Sequence, residues 1–121
     1  MIAPDMHEVS ICQGLVKVVL DEMAQRAIPA GALLRLRVVA GALHQIVPES
    51  LEFAYDLLTR ETPAAGSKLE LRVTPLAARC TKCDWRGTIE PPLFLCSVCG
   101  AGVELEGGDE LYVEDLEIAE S

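Results

Sequence analysis

Four of the five cysteines fall in one stretch, CTKCDWRGTIEPPLFLCSVCG, where Cys80, Cys83, Cys96 and Cys99 form a C-x2-C-x12-C-x2-C pattern. Each C-x2-C turn can aim two thiolates at one point. Two such turns close a tetrahedron, which is the coordination of a structural zinc site. Four thiolates leave no position open to water, so a metal held here is structural rather than catalytic. Iron suits the same four sulfurs in a rubredoxin-like site, and four reduced thiols in a small core are the bland alternative. Gly100 relieves the turn after the second pair, whereas the first pair runs through Asp84 and Trp85 to Gly87. A segment of about 30 residues cannot hold a core alone, so the metal supplies its folding energy. Trp85, Ile89, Leu93 and Phe94 are expected to pack around it.

The second chemical feature is Met6-His7-Glu8, just ahead of an apolar, helix-like run. The chain has two histidines, His7 and His44. Taken by spacing alone, His7 needs no more explanation than an exposed histidine that begins a helix with Glu8. The fifth cysteine, Cys12, stands apart from the quartet. An odd cysteine count without a signal sequence speaks for metal binding over a disulfide framework. Cys12 lies on the apolar stripe of the first helix and reads as a core residue.

The elements that must position these groups follow from periodicity. Val9 to Ala27 reads as an amphipathic helix, with Cys12, Leu15, Val16, Val19, Leu20, Met23 and Ala27 at three- and four-residue steps. Pro29 and Gly31 end it. Leu33 to Ala40 reads as a strand with Leu34, Leu36, Val38 and Ala40 on one face and Arg35 and Arg37 on the other. Gly41 breaks it, and a short strand near Gln45 to Val47 is expected before the second helix. Pro48 opens that helix, which runs to about Arg60 and buries Leu51, Ala54, Tyr55 and Leu58. KLELRVTP alternates as a strand, with Leu69, Leu71 and Val73 inward. After the cysteines, DELYVEDLEI is a last strand, with Glu114 and Asp115 marking a change of phase, as at a bulge. The order is helix, strand, helix, strand, metal segment, strand. If the last strand returns to the sheet, the metal segment is an insertion between two paired strands.

Composition narrows the functional classes. The 121 residues carry 19 acids against 10 Lys and Arg, a net charge of −9, and eight of the acids fall after Val103. Such a surface repels phosphate, so neither a nucleic acid nor a membrane surface is an expected partner. No segment reads as a membrane span, and no basic, apolar secretory leader is present, so a cytoplasmic location is expected. There is no nucleophile–base pair and no phosphate loop, so the chain does not read as an enzyme.

MHEVSICQGLVKVV, VVAGALHQIVPESLEFAYDLLT, LELRVTP and GGDELYVEDLEI, in this order with the cysteine pairs between the last two, resemble one family. It is the HypA/HybF family of hydrogenase maturation nickel metallochaperones, and the similarity is collinear from Met6 to about Ile118. The resemblance implies an α+β fold: a small mixed sheet with two helices, and a zinc-ribbon-like domain inserted before the last strand. Residues 1–75 and 108–121 would form the nickel-binding domain and residues 76–107 the zinc-binding one. It also implies Zn2+ as a structural ion on the four cysteines, and Ni2+ as cargo on His7 and the backbone nitrogens of Met6, His7 and Glu8. Imidazole is a good nickel ligand, and deprotonated amides beside it complete a tetragonal plane. Glu8 would supply a carboxylate just outside that plane, an auxiliary oxygen, or part of a partner surface. The implied partners are the accessory GTPase of hydrogenase maturation and the hydrogenase large subunit; whether the chain forms a homodimer is left open. Two features depart from the family. Residues Met1 to Asp5 precede the motif; because an internal Met6 has no free amine to donate, the expectation is that Met6 is the functional start, or that the extension is removed or is tolerated with weakened nickel binding. His44 stands where a small residue is commoner; a loop histidine without function is the preferred reading, because a connection between strand and helix tolerates it, with an auxiliary nickel ligand as the alternative. A zinc-ribbon interaction module without nickel delivery, and a rubredoxin-like electron carrier, remain the alternatives.

Overall fold

The computed structural model describes residues 6–91 and 93–120. The elements are α1 (Met6–Gln25), β1 (Leu33–Gly41), a 3-10 turn (Ala42–His44), α2 (Pro48–Thr59), β2 (Lys68–Thr74), β3 (Leu76–Cys80), β4 (Arg86–Ile89), β5 (Val103–Gly107) and β6 (Leu111–Ile118). They form two three-stranded sheets, ordered β2-β1-β6 and β4-β3-β5. The fold is therefore α+β, two helices with small sheets. Two compact units result: one of residues 1–38, 46–71 and 112–121, the other of residues 39–45 and 72–111. Among the described residues no helix is long and apolar enough to cross a membrane.

In the first unit, Cys12, Leu15, Val16, Val19 and Met23 lie along one side of α1 and are all buried. They share a core with Leu51, Ala54 and Tyr55 of α2, Leu33, Leu36 and Val38 of β1, and Leu69 of β2. Each large side chain removed from water this way stabilises the unit by about 1.5–3 kcal/mol. At the start of β1 it is Leu33 that is buried, and Leu34 that is exposed, the reverse of the expected phase. The expected strand at Gln45 to Val47 is absent; Gln45 instead caps the 3-10 turn in the left-handed region. β6 pairs antiparallel with β1, since Arg35 reaches Glu117 while Arg37 reaches Asp115. β2 and β6 flank β1 and do not pair with each other, which corrects the expectation of an insertion between paired strands.

α1 starts at Met6, three residues before the apolar periodicity does. It ends in a Schellman motif: the Ile28 N–H reaches the Met23 carbonyl (2.9 Å) and the Ala27 N–H reaches Ala24 (3.3 Å). The left-handed residue of that motif is Ala27, at φ 52°, where glycine is the usual occupant. Pro48 opens α2 at a position whose N–H has no helical acceptor anyway. Beyond the helix, the buried Ser67 hydroxyl donates to the Ala64 carbonyl (2.6 Å), so it accepts from the Tyr55 hydroxyl (2.7 Å). The one polar atom on the largest buried side chain is thereby satisfied.

In the second unit β3 is central and antiparallel to both neighbours, with a register shift at Ala77 and Ala78 against β5. Leu76, Ala78 and Cys80 face inward, and Arg79 outward, where it holds Glu104 at 2.6 Å. Residues 39–45 are fastened to the turn before β6. The Gly41 N–H reaches the Glu110 carbonyl (2.7 Å) and the Leu43 N–H reaches Gly108 (2.9 Å). No side chain fits in this crossing: a Cβ on Gly108, at φ 98°, would sit 2.5 Å from Leu76 Cα.

Candidate metal centres

Cys80 ends β3, and Cys83 follows in the turn to β4. The Lys82 and Cys83 N–H groups both point at Cys80 Sγ, each at 3.3 Å. The turn closes where the Cys80 N–H reaches the Trp85 carbonyl (2.8 Å). The second pair repeats this design. Val98 and Cys99 donate to Cys96 Sγ at 3.3 and 3.4 Å, and the Cys96 N–H reaches Ala101 at 2.7 Å. Gly100 takes the left-handed conformation, φ 77°, that this turn demands.

The four sulfurs lie within 4.8 Å of one another. Cys80 Sγ is 3.5 Å from Cys99 Sγ, and Cys83 Sγ is 3.6 Å from Cys96 Sγ. A tetrahedron with metal–sulfur bonds of about 2.3 Å has sulfur–sulfur edges of about 3.8 Å. The spacing therefore suits one ion with four sulfur ligands. The electrostatics agree. The Lys82 N–H, then that of Cys83, pulls the Cys80 thiol down to about 6 against the opposing effect of burial. At Cys96 burial is the largest influence and raises the thiol, but the N–H groups of Cys99 and Val98 outweigh it and the net shift is downward. The Trp85 N–H lowers Cys83, yet Cys80, burial, Cys96 and Cys99 together push it up to about 12. Cys80 and Cys96 are thus shifted down, and Cys83 and Cys99 up. A divalent cation at the centre would favour the thiolate at all four.

The packing expected around this centre is only partly present. The Trp85 ring lies across Gly87, whose Cβ, if it had one, would be 2.8 Å from Trp85 Cζ2. Gly87 is therefore there to admit the indole. Ile89 is half-buried, but Leu93 is 63% exposed and Phe94 37%. Neither is buried, and among the described residues of 76–107 the buried apolar side chains besides cysteine are Leu76 and Ala78 of β3.

His7 and Glu8 stand in the first turn of α1, His7 exposed and Glu8 only 1% exposed. An α-helix leaves its first four N–H groups without helical acceptors. The Met6, His7 and Glu8 nitrogens are among those four, a fact hidden from a periodicity that starts the helix at Val9. Residues Met1 to Asp5 lie outside the described residues, and with them the question of the Met6 amine. His44 belongs to the other compact unit. Its Nε2 is 2.9 Å from the Asp109 carbonyl oxygen. A carbonyl only accepts, so Nε2 carries a proton there and is not a metal donor. Cys12 is fully buried, and burial pushes its thiol up to about 12.

A family model described as hydrogenase/urease nickel incorporation, metallochaperone, HypA, matches residues 6–118. The hydrogenase maturation factor HypA of Solidesulfovibrio magneticus is 37% identical over 118 residues, covering 93% of this chain and 99% of that protein. That of Desulfosudis oleivorans is 35% identical over 120 residues, covering 95% and 100%. Among solved structures, the nickel metallochaperone HypA from Helicobacter pylori superposes with a TM-score of 0.61 at 18% identity, covering 96% of this chain and all of that one.

Proposed function

Because the chain belongs to the HypA family of nickel-incorporation metallochaperones, we propose that it carries Ni2+ on the first turn of α1 and delivers it for [NiFe]-hydrogenase maturation. The observation that carries this reading is the position of His7, exposed in the opening turn of the helix. Helical ψ, near about −42°, brings consecutive backbone nitrogens close together on one side of the chain. That is the disposition a five-membered chelate ring requires. Imidazole and ionised amides of Met6, His7 and Glu8 then supply a nitrogen-rich set of the kind nickel prefers. The helix N-terminus is the positive end of the dipole and opposes a cation; the ionised amides and the Glu8 carboxylate offset it. A site so balanced binds weakly enough to release its cargo.

Cys80, Cys83, Cys96 and Cys99 would hold a resident Zn2+ that cross-links β3 to the turn before β5 and takes no part in chemistry. Residues 76–107 act as the zinc domain, and residues 1–75 and 108–121 as the nickel domain. The chain is a carrier and not an enzyme. It works in the cytoplasm with the accessory GTPase of the pathway and with the nickel-free hydrogenase large subunit. His44, with Nε2 committed to Asp109, is left with Nδ1 as its only route to an auxiliary role. The test is transfer: the chain loaded with labelled nickel should pass metal to the large subunit faster than an equal concentration of nickel held by a small chelator. Equal rates would reject delivery.

A further inference from the structure

Given the resident zinc proposed for the four cysteines, on which this inference rests, we propose that their centre is a reversible oxidation site: a hydroperoxide enters at Cys99, Cys80 closes a disulfide with it, and the zinc is released. The four thiols differ in access. Cys99 is exposed and Cys83 half-buried, whereas Cys80 and Cys96 are 8% and 4% exposed. The surface about Cys99 is open. Val98 beside it is 73% exposed, and a Cβ on Gly100 would meet no atom within 4 Å. Oxidants select thiols that are both ionised and reachable, and a coordinated thiol is ionised. Cys99 is therefore the sulfur that a small peroxide meets first. The fifth thiol does not compete, because Cys12 is fully buried in the other compact unit.

The resolving partner is set by distance. Cys80 Sγ lies 3.5 Å from Cys99 Sγ, and Cys83 Sγ lies 3.6 Å from Cys96 Sγ. A disulfide bond is about 2.0 Å long, so a movement of about 1.5 Å joins either pair. The Cys99 thiolate attacks one peroxide oxygen; the O–O bond breaks, an S–O bond forms and hydroxide leaves. The Cys80 thiolate then attacks the Cys99 sulfur; the S–S bond forms, the S–O bond breaks and a second hydroxide leaves. Solvent protonates both hydroxides to water. The two thiolates have lost two electrons in all, and the peroxide has gained them. With half its donors gone the tetrahedral set no longer holds a metal, and Cys83 and Cys96 follow with a second peroxide. Each bridge joins the first cysteine turn to the second. The metal cross-link is thus exchanged for a covalent one that a dithiol can undo.

The test uses the full chain, loaded with zinc and free of nickel, and hydrogen peroxide as the probe. Zinc is counted first by elemental analysis. A chain that takes up none rejects the resident zinc and this inference together, whereas a zinc-loaded chain that keeps its metal and thiols under peroxide rejects this inference alone. At limiting peroxide, acid quench, alkylation and peptide mapping should find Cys80–Cys99 as the first bridge. Excess peroxide should add Cys83–Cys96, release the zinc to a weak colorimetric chelator and leave Cys12 reduced. Dithiothreitol with added zinc should then restore the intact mass and the emission of Trp85, the only tryptophan. In Cys80→Ser, kept in excess zinc, Cys99 has lost its near neighbour, so a 1,3-dicarbonyl trap for sulfenic acid should label Cys99 in larger yield than in the wild-type chain. Cys99→Ser, under the same conditions, should lose its remaining quartet thiols several-fold more slowly. A first bridge within one turn, Cys80–Cys83 or Cys96–Cys99, a trap that labels Cys83 before Cys99, or sulfinic and sulfonic acids in place of disulfides would each overturn the proposal.

Discussion

Withdrawing the metal from the four cysteines should unfold the second compact unit and spare the first. Among the described residues between 76 and 107, the only fully buried apolar side chains besides cysteine are Leu76 and Ala78. Leu93, Phe94, Leu95, Val98 and Leu105 are all exposed. Among the described residues of that segment no larger apolar core stands beside the strand pairings to replace the ion. Structural zinc on such ligands contributes about 10–16 kcal/mol, an apparent Kd between about 50 nM and about 2 pM. If four ligands share that energy about equally, one thiolate carries about 2.5–4 kcal/mol. Cys96→Ala should then weaken zinc by about two to three orders of magnitude. The reporter is built in: Trp85 is the only tryptophan, and its carbonyl is bonded to the Cys80 N–H. On stripping with a picomolar chelator, Trp85 emission should move to the red while the far-ultraviolet helix signal of α1 and α2 persists. In Cys96→Ala the same change should occur with a chelator a few hundred-fold weaker. Unchanged Trp85 emission after the zinc is shown to be gone, or loss of the helix signal along with it, would refute this reasoning.

Three further outcomes follow from particular contacts. Burial holds the Cys12 thiol up at about 12, so in the zinc-loaded chain at pH 8 it should resist alkylation, whereas unfolding with chelator present should expose all five cysteines, both counted by intact mass. Ala27→Gly should stabilise the first unit by about 0.5–1 kcal/mol, because glycine adopts the left-handed cap at little cost; urea denaturation followed by helix signal gives the value. The Thr74 hydroxyl, and after it the Gly108 N–H, hold the Glu110 carboxyl below its ordinary range. Its folded-state pKa being depressed, the stabilisation is present above the unfolded value of about 4.3 and is lost as pH falls through the lower folded value. Glu110→Gln should therefore be less stable than wild type at pH 7, with the gap closing in acid, as denaturation curves at several pH values will show.

The parts legible from sequence were those with long-range repetition. Six apolar residues along α1 and the alternation of β2 repeat often enough to identify an element, and Pro48 marks the start of α2. The cysteine spacing specified its own cluster, because two short turns leave few ways to converge four sulfurs. What escaped lacked repetition or depended on distant chain. β3, β4 and β5 have four or five residues each, too short for a period to emerge, and LAARC reads as readily helical as extended. The first turn of α1 holds His7 on the exposed side, so no apolar signal announces it. Ala27 occupies a position that sequence rules assign to glycine. The Tyr55–Ser67 and His44–Asp109 hydrogen bonds join residues 12 and 65 positions apart, and no local pattern encodes either. Leu93 and Phe94 read as core by residue type alone, and only their exposure, 63% and 37%, shows that they are not buried.

The nickel site is tested most directly by calorimetric titration of the zinc-saturated chain with Ni2+ at two pH values, beside His7→Ala and His44→Ala. Saturating the four cysteines first removes them as competing ligands. The wild-type chain should bind one nickel, more tightly at the higher pH because imidazole and amide protons must leave. His7→Ala should lose that binding while its melting curve stays close to wild type, since an exposed side chain leaves no cavity. His44→Ala should bind nickel as wild type does. Nickel bound by His7→Ala with wild-type affinity would contradict the account and put the cargo site elsewhere in the chain.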